Sequence, residues 1–191
     1  MRESNTRYAV LGVLAEGGSL TGYDIRSRIE GSLGLFWSES FGQIYPELRR
    51  LRADGLVEPA AREGEGKPYR ITAAGRAALA TWLARPPAAE RPRSELQLKL
   101  HFGRFMGADA VRGFLVAAAG AAAERAGALR ARRASVMDHL AGEQRLFSLL
   151  ALDRGLGRAE ADIAWAERAL AVVDALAEGG PDDALQHIPP V

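Results

Sequence analysis

Apolar residues recur at helical spacing along nearly the whole chain, in short segments at first and in much longer ones later. Residues 6–16 carry Tyr8, Val10, Leu11, Val13 and Leu14, a helical run that Gly17 and Gly18 stop. A tight connection follows at Ser19-Leu20-Thr21-Gly22. Thr21 and Asp24 then open a second helix in a capping-box-like pattern, with Tyr23, Ile25, Ile29 and Leu33 along it. Two short helices joined by a glycine-containing turn are the opening of a helix-turn-helix unit.

A third helix is predicted from the S-x-x-Q spacing of Ser40 and Gln43, where each side chain can satisfy one orphan N–H. With Ile44 at 0° and about 100° per residue, Phe41, Leu48 and Leu51 fall on its face, while Gly42, Gln43, Pro46, Arg49 and Arg50 fall opposite. Tyr45 lies between the two faces. Pro46 forfeits a helical N–H bond, so a kink or a later effective start is expected. Asp54-Gly55 ends the helix.

The period then changes. Leu56-Val57-Glu58-Pro59 and Tyr69-Arg70-Ile71-Thr72 read as two short strands around the charged, glycine-rich loop of residues 62–68, a β-hairpin wing. Thr72 caps a fourth helix containing Ala78, Leu79, Trp82 and Leu83. The proline-rich stretch from Arg85 to Pro92 breaks it. The predicted organisation is a winged-helix domain over 1–86, a linker over 87–93, a helical domain over 94–178 and a disordered tail over 179–191.

The helical domain opens at Ser94 and Gln97, another capping box, with Leu96, Leu98, Leu100 and Phe102 behind it. Residues 108–152 contain no proline. Leu115, Ala122, Leu129 and Val136 recur every seven residues, and the stripe then shifts to Leu140 and Phe147. Read as one helix, about 44 residues would span roughly 66 Å, too long for a compact monomer of this size to cover. Gly155-Leu156-Gly157 is the expected break. The last helix, residues 158–178, keeps Glu160, Glu167 and Asp174 on one stripe, while Trp165, Leu170, Val172, Val173 and Leu176 spread around the rest. So wide an apolar face implies contact with more than one neighbouring helix. The fold class is therefore mainly α with a small β-hairpin: a winged helix-turn-helix followed by an antiparallel helical dimerisation domain. Leu115, Leu129, Val136, Leu140, Leu170 and Val173 are the candidate dimer contacts.

Composition narrows the chemistry. With no cysteine among 191 residues, disulfides, thiolate metal sites and a cysteine nucleophile are excluded. His101, His139 and His187 lie far apart, so no metal site is expected. Gly64-Glu65-Gly66-Lys67 lacks the spacing and the trailing Ser/Thr of a phosphate loop, and no G-x-S-x-G occurs. No catalytic residues and no cofactor are expected, hence no enzyme. The longest apolar run, residues 114–123, is too short to cross a membrane, and MRESNTRYAV shows no secretory pattern. A cytoplasmic protein is the expectation. Charge is less informative: residues 1–86 hold 12 Arg/Lys against 10 Asp/Glu, so placement must favour nucleic acid where net charge does not.

Three segments carry a family resemblance: Leu20-Thr21-Gly22-Tyr23-Asp24-Ile25, Gln43-Ile44-Tyr45-Pro46-Glu47-Leu48, and Tyr69-Arg70-Ile71-Thr72 with Gly75. Across residues 7–85 the chain resembles the PadR family of bacterial regulators. The segment Ser94-Glu95-Leu96-Gln97-Leu98-Lys99-Leu100 and the helical layout beyond it resemble the C-terminal domain of members related to virulence activators. The resemblance implies a homodimeric transcriptional regulator, a repressor, gripping a pseudo-palindromic operator through paired third helices and wings. Double-stranded DNA would be met by Ser40, Gln43, Tyr45, Arg49 and Arg50 of the third helix, by Tyr23, and by Arg62, Lys67 and Arg70 of the wing. Arg70 serves equally as one half of a structural ion pair. Some family members bind aromatic compounds, which makes Trp82 and Trp165 candidates for an effector pocket between the domains; ordinary core packing is the competing role for both, and for Trp37. The alternative function is a winged-helix interaction scaffold that no longer binds DNA, supported by the weak charge of residues 1–86.

Overall fold

The computed structural model describes residues 5–35, 37, 41–61, 66–89 and 94–189. They form two compact units, Met1–Ala89 and Glu90–Val191.

In the first unit α1 (Asn5–Gly17) and α2 (Gly22–Leu33) are followed by a 3-10 turn (Phe41–Gln43) and α3 (Ile44–Ala53). Strands β1 (Val57–Pro59) and β2 (Tyr69–Ile71) precede α4 (Ala73–Leu83). The Thr21 capping box is complete: its hydroxyl accepts from Asp24 N at 3.1 Å, and the Asp24 carboxylate accepts from Thr21 N at 3.0 Å. At α3 the sequence predicts a capping box from Ser40 and Gln43. Ser40 lies outside the described residues, and Gln43 occupies the N-cap without a side-chain cap bond. Helix α3 begins at Ile44, which puts Pro46 in the first turn, where its missing N–H has no intrahelical partner to lose.

The hairpin is antiparallel, with Val57 opposite Ile71, Glu58 opposite Arg70 and Pro59 opposite Tyr69. Leu20 adds a third edge: its N–H and carbonyl exchange bonds with Tyr69 at 3.0 and 2.8 Å. β2 is thus the middle of this small sheet, and β1, which carries Pro59, is an edge strand where a missing donor is harmless. Val10, Leu11, Leu14, Ile25, Ile29, Leu48, Leu51 and Val57 form the centre of the core. Thr72 ties the wing to α4, donating to Gly55 O at 2.8 Å and accepting from Gly75 N at 3.0 Å. Gly75 is buried against the Leu56 carbonyl, and any Cβ there would overlap that oxygen.

In the second unit α5 (Glu95–His101) starts on the expected Ser94 cap, with Ser94 Oγ accepting from Gln97 N at 3.1 Å. A 3-10 turn at Gly103–Phe105 leads to two long antiparallel helices, α6 (Ala108–His139) and α7 (Gly142–Gly179), and a short α8 (Pro181–Gln186). Three sequence-based expectations change here. The long run does not continue to residue 152; it turns at Leu140 and Ala141, both extended, with Gly142 at φ +53°. That is where the seven-residue stripe shifts. Gly155 and Gly157 do not break α7, because the helix is held by packing: a Cβ on Gly155 would lie 3.3 Å from Leu129 Cδ2. The tail expected to be disordered from residue 179 instead turns at Gly180 (φ +86°) into α8, whose Ala184 is buried.

The α6–α7 seam repeats with period seven on both helices: Leu115, Ala122, Leu129 and Val136 on α6, Leu152, Ala159, Ala166 and Val173 on α7, all buried. Ion pairs from Arg112 to Asp174, Arg125 to Asp162, Arg130 to Glu160 and Arg133 to Asp153 fix the antiparallel register. The stripe read from sequence as a dimer seam is therefore an intrachain seam. Leu115, Leu129, Val136 and Val173 are covered within one chain, and Leu140 and Leu170 are half-buried. The α7 half of the repeat was legible but diluted by alanine.

Candidate nucleic-acid interface

Helix α3 is built to show one face. Ile44, Glu47, Leu48 and Leu51 are buried, and Gln43, Tyr45, Arg49 and Arg50 are exposed. The buried carboxylate is the unusual feature. Glu47 Oε1 lies 3.5 Å from Arg7 Nη1 on α1, and its Oε2 lies 3.3 Å from Arg50 Nη1 one turn along α3. Arg7 also binds Asp54, just past the end of α3, at 2.7 Å. Burial works against the charge on Arg7, yet its pKa is raised, because Asp54 and Glu47 more than offset that desolvation. One arginine of α1 thus holds both ends of α3 and sets the angle at which its outer face stands.

Tyr45 braces as well as being half exposed. Its ring lies over Gly22, close enough that a Cβ at that glycine would collide with it. The exposed Tyr23 stands on α2 near Arg26, whose pKa is raised first by the hydrogen bond it donates to Glu30 at 2.8 Å and slightly by the Tyr45 and Tyr23 phenols. Sequence reasoning missed Arg26, although its three-residue offset from Tyr23 places it on the same side of α2. The structure thus brings Tyr23, Arg26 and Tyr45 together at the start of α2.

In the wing, Arg62 lies outside the described residues. Gly66 (φ +113°) packs beside the Thr21 methyl, which brings the neighbouring exposed Lys67 close to the start of α2. Arg70 is paired across the hairpin with Glu58 at 2.7 Å. Lys67 and Arg49 are exposed and have no carboxylate partner among the described residues.

The tryptophans separate. Trp82 stacks on Tyr8 with centroids 4.5 Å apart and planes 7° from parallel, inside the first unit, while Trp165 is an exposed residue of α7 in the second. Trp37 packs against the first unit's core. An open polar cleft of about 340 Å³ lies between the end of α1 and α2, lined by Ser19, Tyr23, Asp24, Ser27 and Arg28 among others, with neither candidate tryptophan in its walls. No group of metal-ligating side chains is present among the described residues, and none of their helices is long and apolar enough to cross a membrane.

Residues 10–81 match the transcriptional regulator PadR-like family, and residues 92–174 match the virulence activator alpha C-terminal family. The negative transcriptional regulator PadR of Bacillus subtilis (strain 168) is 32% identical over 177 residues, covering 88% of this chain and 97% of that protein. The crystal structure of Bacillus subtilis PadR in complex with operator DNA is similar with a TM-score of 0.76 at 29% identity, covering 89% of this chain and 99% of that one. The same protein in complex with p-coumaric acid also gives a TM-score of 0.76 at 29% identity, over 90% and 99% of the two chains. The Vibrio cholerae virulence activator AphA gives a TM-score of 0.74 at 30% identity, over 90% and 99%. With a relative of this identity covering nearly all of both chains, this protein belongs to the PadR-like family of transcriptional regulators.

Proposed function

We propose that this chain is a homodimeric repressor that binds a pseudo-palindromic operator, working by binding rather than catalysis, in the cytoplasm where its DNA lies. The observation that carries the reading is α3: a helix held rigidly from behind by Arg7 and presenting Gln43, Tyr45, Arg49 and Arg50 outward. Two such helices about 34–36 Å apart enter successive major grooves on one side of the duplex. Gln43 and Arg49 offer donors to base edges or phosphates, and Tyr23 and Lys67 meet the backbone beside them. The likeness to an operator-bound relative supports the same use of the fold. The division of labour proposed is DNA binding over 1–86, a linker over 87–93 and dimerisation over 94–178.

The dimer is supported by what the α6–α7 hairpin leaves uncovered. Met137, Leu146, Phe147 and Leu150 are exposed toward its turn, and Val116 and Leu176 toward its open end. A twofold axis across the hairpin lays the turn of one chain on the open end of the other and covers both sets at once. An aromatic effector is proposed in keeping with the relative that binds p-coumaric acid, with Trp82 or Trp165 beside it.

Fluorescence anisotropy on duplexes selected from a random library, repeated at several salt concentrations, tests the reading. Selected DNA should bind far more tightly than scrambled DNA, with affinity falling steeply with salt. A fragment ending at Arg85 should bind the same duplex much more weakly, having lost the linked second half-site. Equal, weak binding to every duplex favours the scaffold alternative.

A further inference from the structure

We infer that Glu47 is a positioning residue that restrains Arg50 and so limits binding to non-operator DNA. The inference rests on the DNA-binding reading of α3 and assigns a role inside it.

Two neighbouring arginines on this helix differ in their electrostatics. Arg49 is exposed and has no carboxylate partner among the described residues. Arg50 is also exposed over 66% of its side chain, but its Nη1 is 3.3 Å from a carboxylate that is itself only 5% exposed. That carboxylate does not swing away readily, because its other oxygen faces Arg7 at 3.5 Å, and Arg7 is anchored in turn to Asp54 at 2.7 Å. Arg7 and Arg50 therefore stand against Glu47 and Asp54 in a cluster with no net charge. Arg50 is a cation on the interface whose charge is cancelled from within the protein.

Binding without sequence preference depends on cations that neutralise phosphates and release counterions. An arginine already paired with a buried carboxylate releases few unless the pair breaks, and breaking it leaves Glu47 beside a single arginine in a poorly hydrated site. Operator binding depends also on donors set at base edges, which a tethered Arg50 and a fixed α3 preserve. Glu47 thus lowers the affinity for arbitrary DNA more than that for the operator.

The test measures affinity against salt for the full chain on a selected operator and on a scrambled duplex, with Glu47→Gln, Arg50→Ala and the double variant. Glu47→Gln should raise affinity for the scrambled duplex by about fivefold and steepen its salt slope by about one unit, narrowing discrimination. Adding Arg50→Ala should return the slope to the parent value, because Arg50 is the cation set free. Arg50→Ala alone should leave the scrambled-DNA slope nearly unchanged. A purely structural Glu47 predicts instead a lower melting temperature with weaker binding to both duplexes and no steeper slope, which overturns the inference. If Glu47→Gln fails to fold, Arg50→Ala decides: a slope flatter by about one unit shows Arg50 already free and overturns it too. A parent protein that binds neither duplex defeats the DNA-binding reading itself, a result distinct from either of these.

Discussion

The first unit closes a core from five directions, since α1, α2, α3, α4 and the wing all bury side chains in one cluster. The second has as its main body two long helices facing each other along a single seam, with alanine at Ala122, Ala159 and Ala166 in the middle of it. Helices α2 and α4 begin on threonine caps, and Arg7 and Thr72 tie elements together through directed bonds. Helices α6 and α7 begin without side-chain caps and depend on length, on the seam and on a row of exposed arginine–carboxylate pairs. Such exposed pairs contribute little each, on the order of 0.2–1 kcal/mol. The lesson is that the first unit holds its shape by itself, as a reader of DNA must, whereas a two-helix seam leaves large apolar residues such as Phe147 (63% exposed) and Leu150 (57% exposed) for another surface to cover.

The first unit is most sensitive at Gly75. Gly75→Ala drives a methyl into the Leu56 carbonyl, which is backbone and cannot turn aside. We expect a loss of about 4 kcal/mol from the first unit, seen as an early unfolding step by circular dichroism in urea, with the helices of the second unit still folded. A single, unshifted transition would show that the close approach is relieved elsewhere. Next in size is Leu129→Ala, which opens a cavity in the seam beside Gly155. About 3 kcal/mol should be lost from the second unit, and the dimer should loosen in light scattering while the first unit keeps its core. Full retention of both would mean the seam is not what orders α6 and α7.

Smaller effects are expected at single side chains within each unit. Arg49→Ala should leave melting unchanged, weaken operator binding and flatten its salt slope by about one unit; Arg50→Ala should flatten it less. Equal slopes for the two variants would erase the difference drawn between them. Smallest of all, Gly157→Ala should stabilise α7 by about 1 kcal/mol, because nothing lies within 4 Å of the added methyl. Gly155→Ala should do less or reverse sign, since its methyl meets Leu129. Calorimetry on the pair distinguishes a helix that merely tolerates both glycines from one that packs on the first.

Much of this molecule was legible in sequence because it is decided within four or five residues. The Thr21–Asp24 box, the Thr72 cap, the Ser94 cap and the wing strands are local bonds or local alternation, and each stands where the pattern puts it. The exposed face of α3 follows equally from its own spacing. Tertiary contact decided the rest. Gly155 and Gly157 each cost a helix about 1 kcal/mol, a local signal strong enough to predict a break, but a seam running the length of α6 outweighs it. The same seam took up the seven-residue stripe that a single helix would have had to offer to a second chain. The Glu47–Arg50 pair is itself local, but Arg7 meets Glu47 and Asp54 across 40 and 47 residues of chain, so no local pattern shows that this carboxylate is buried and held from α1. Periodicity and capping determined which residues form helices and which faces those helices own. Only the packed structure decided which face meets which, because that depends on side chains brought together from distant parts of the chain.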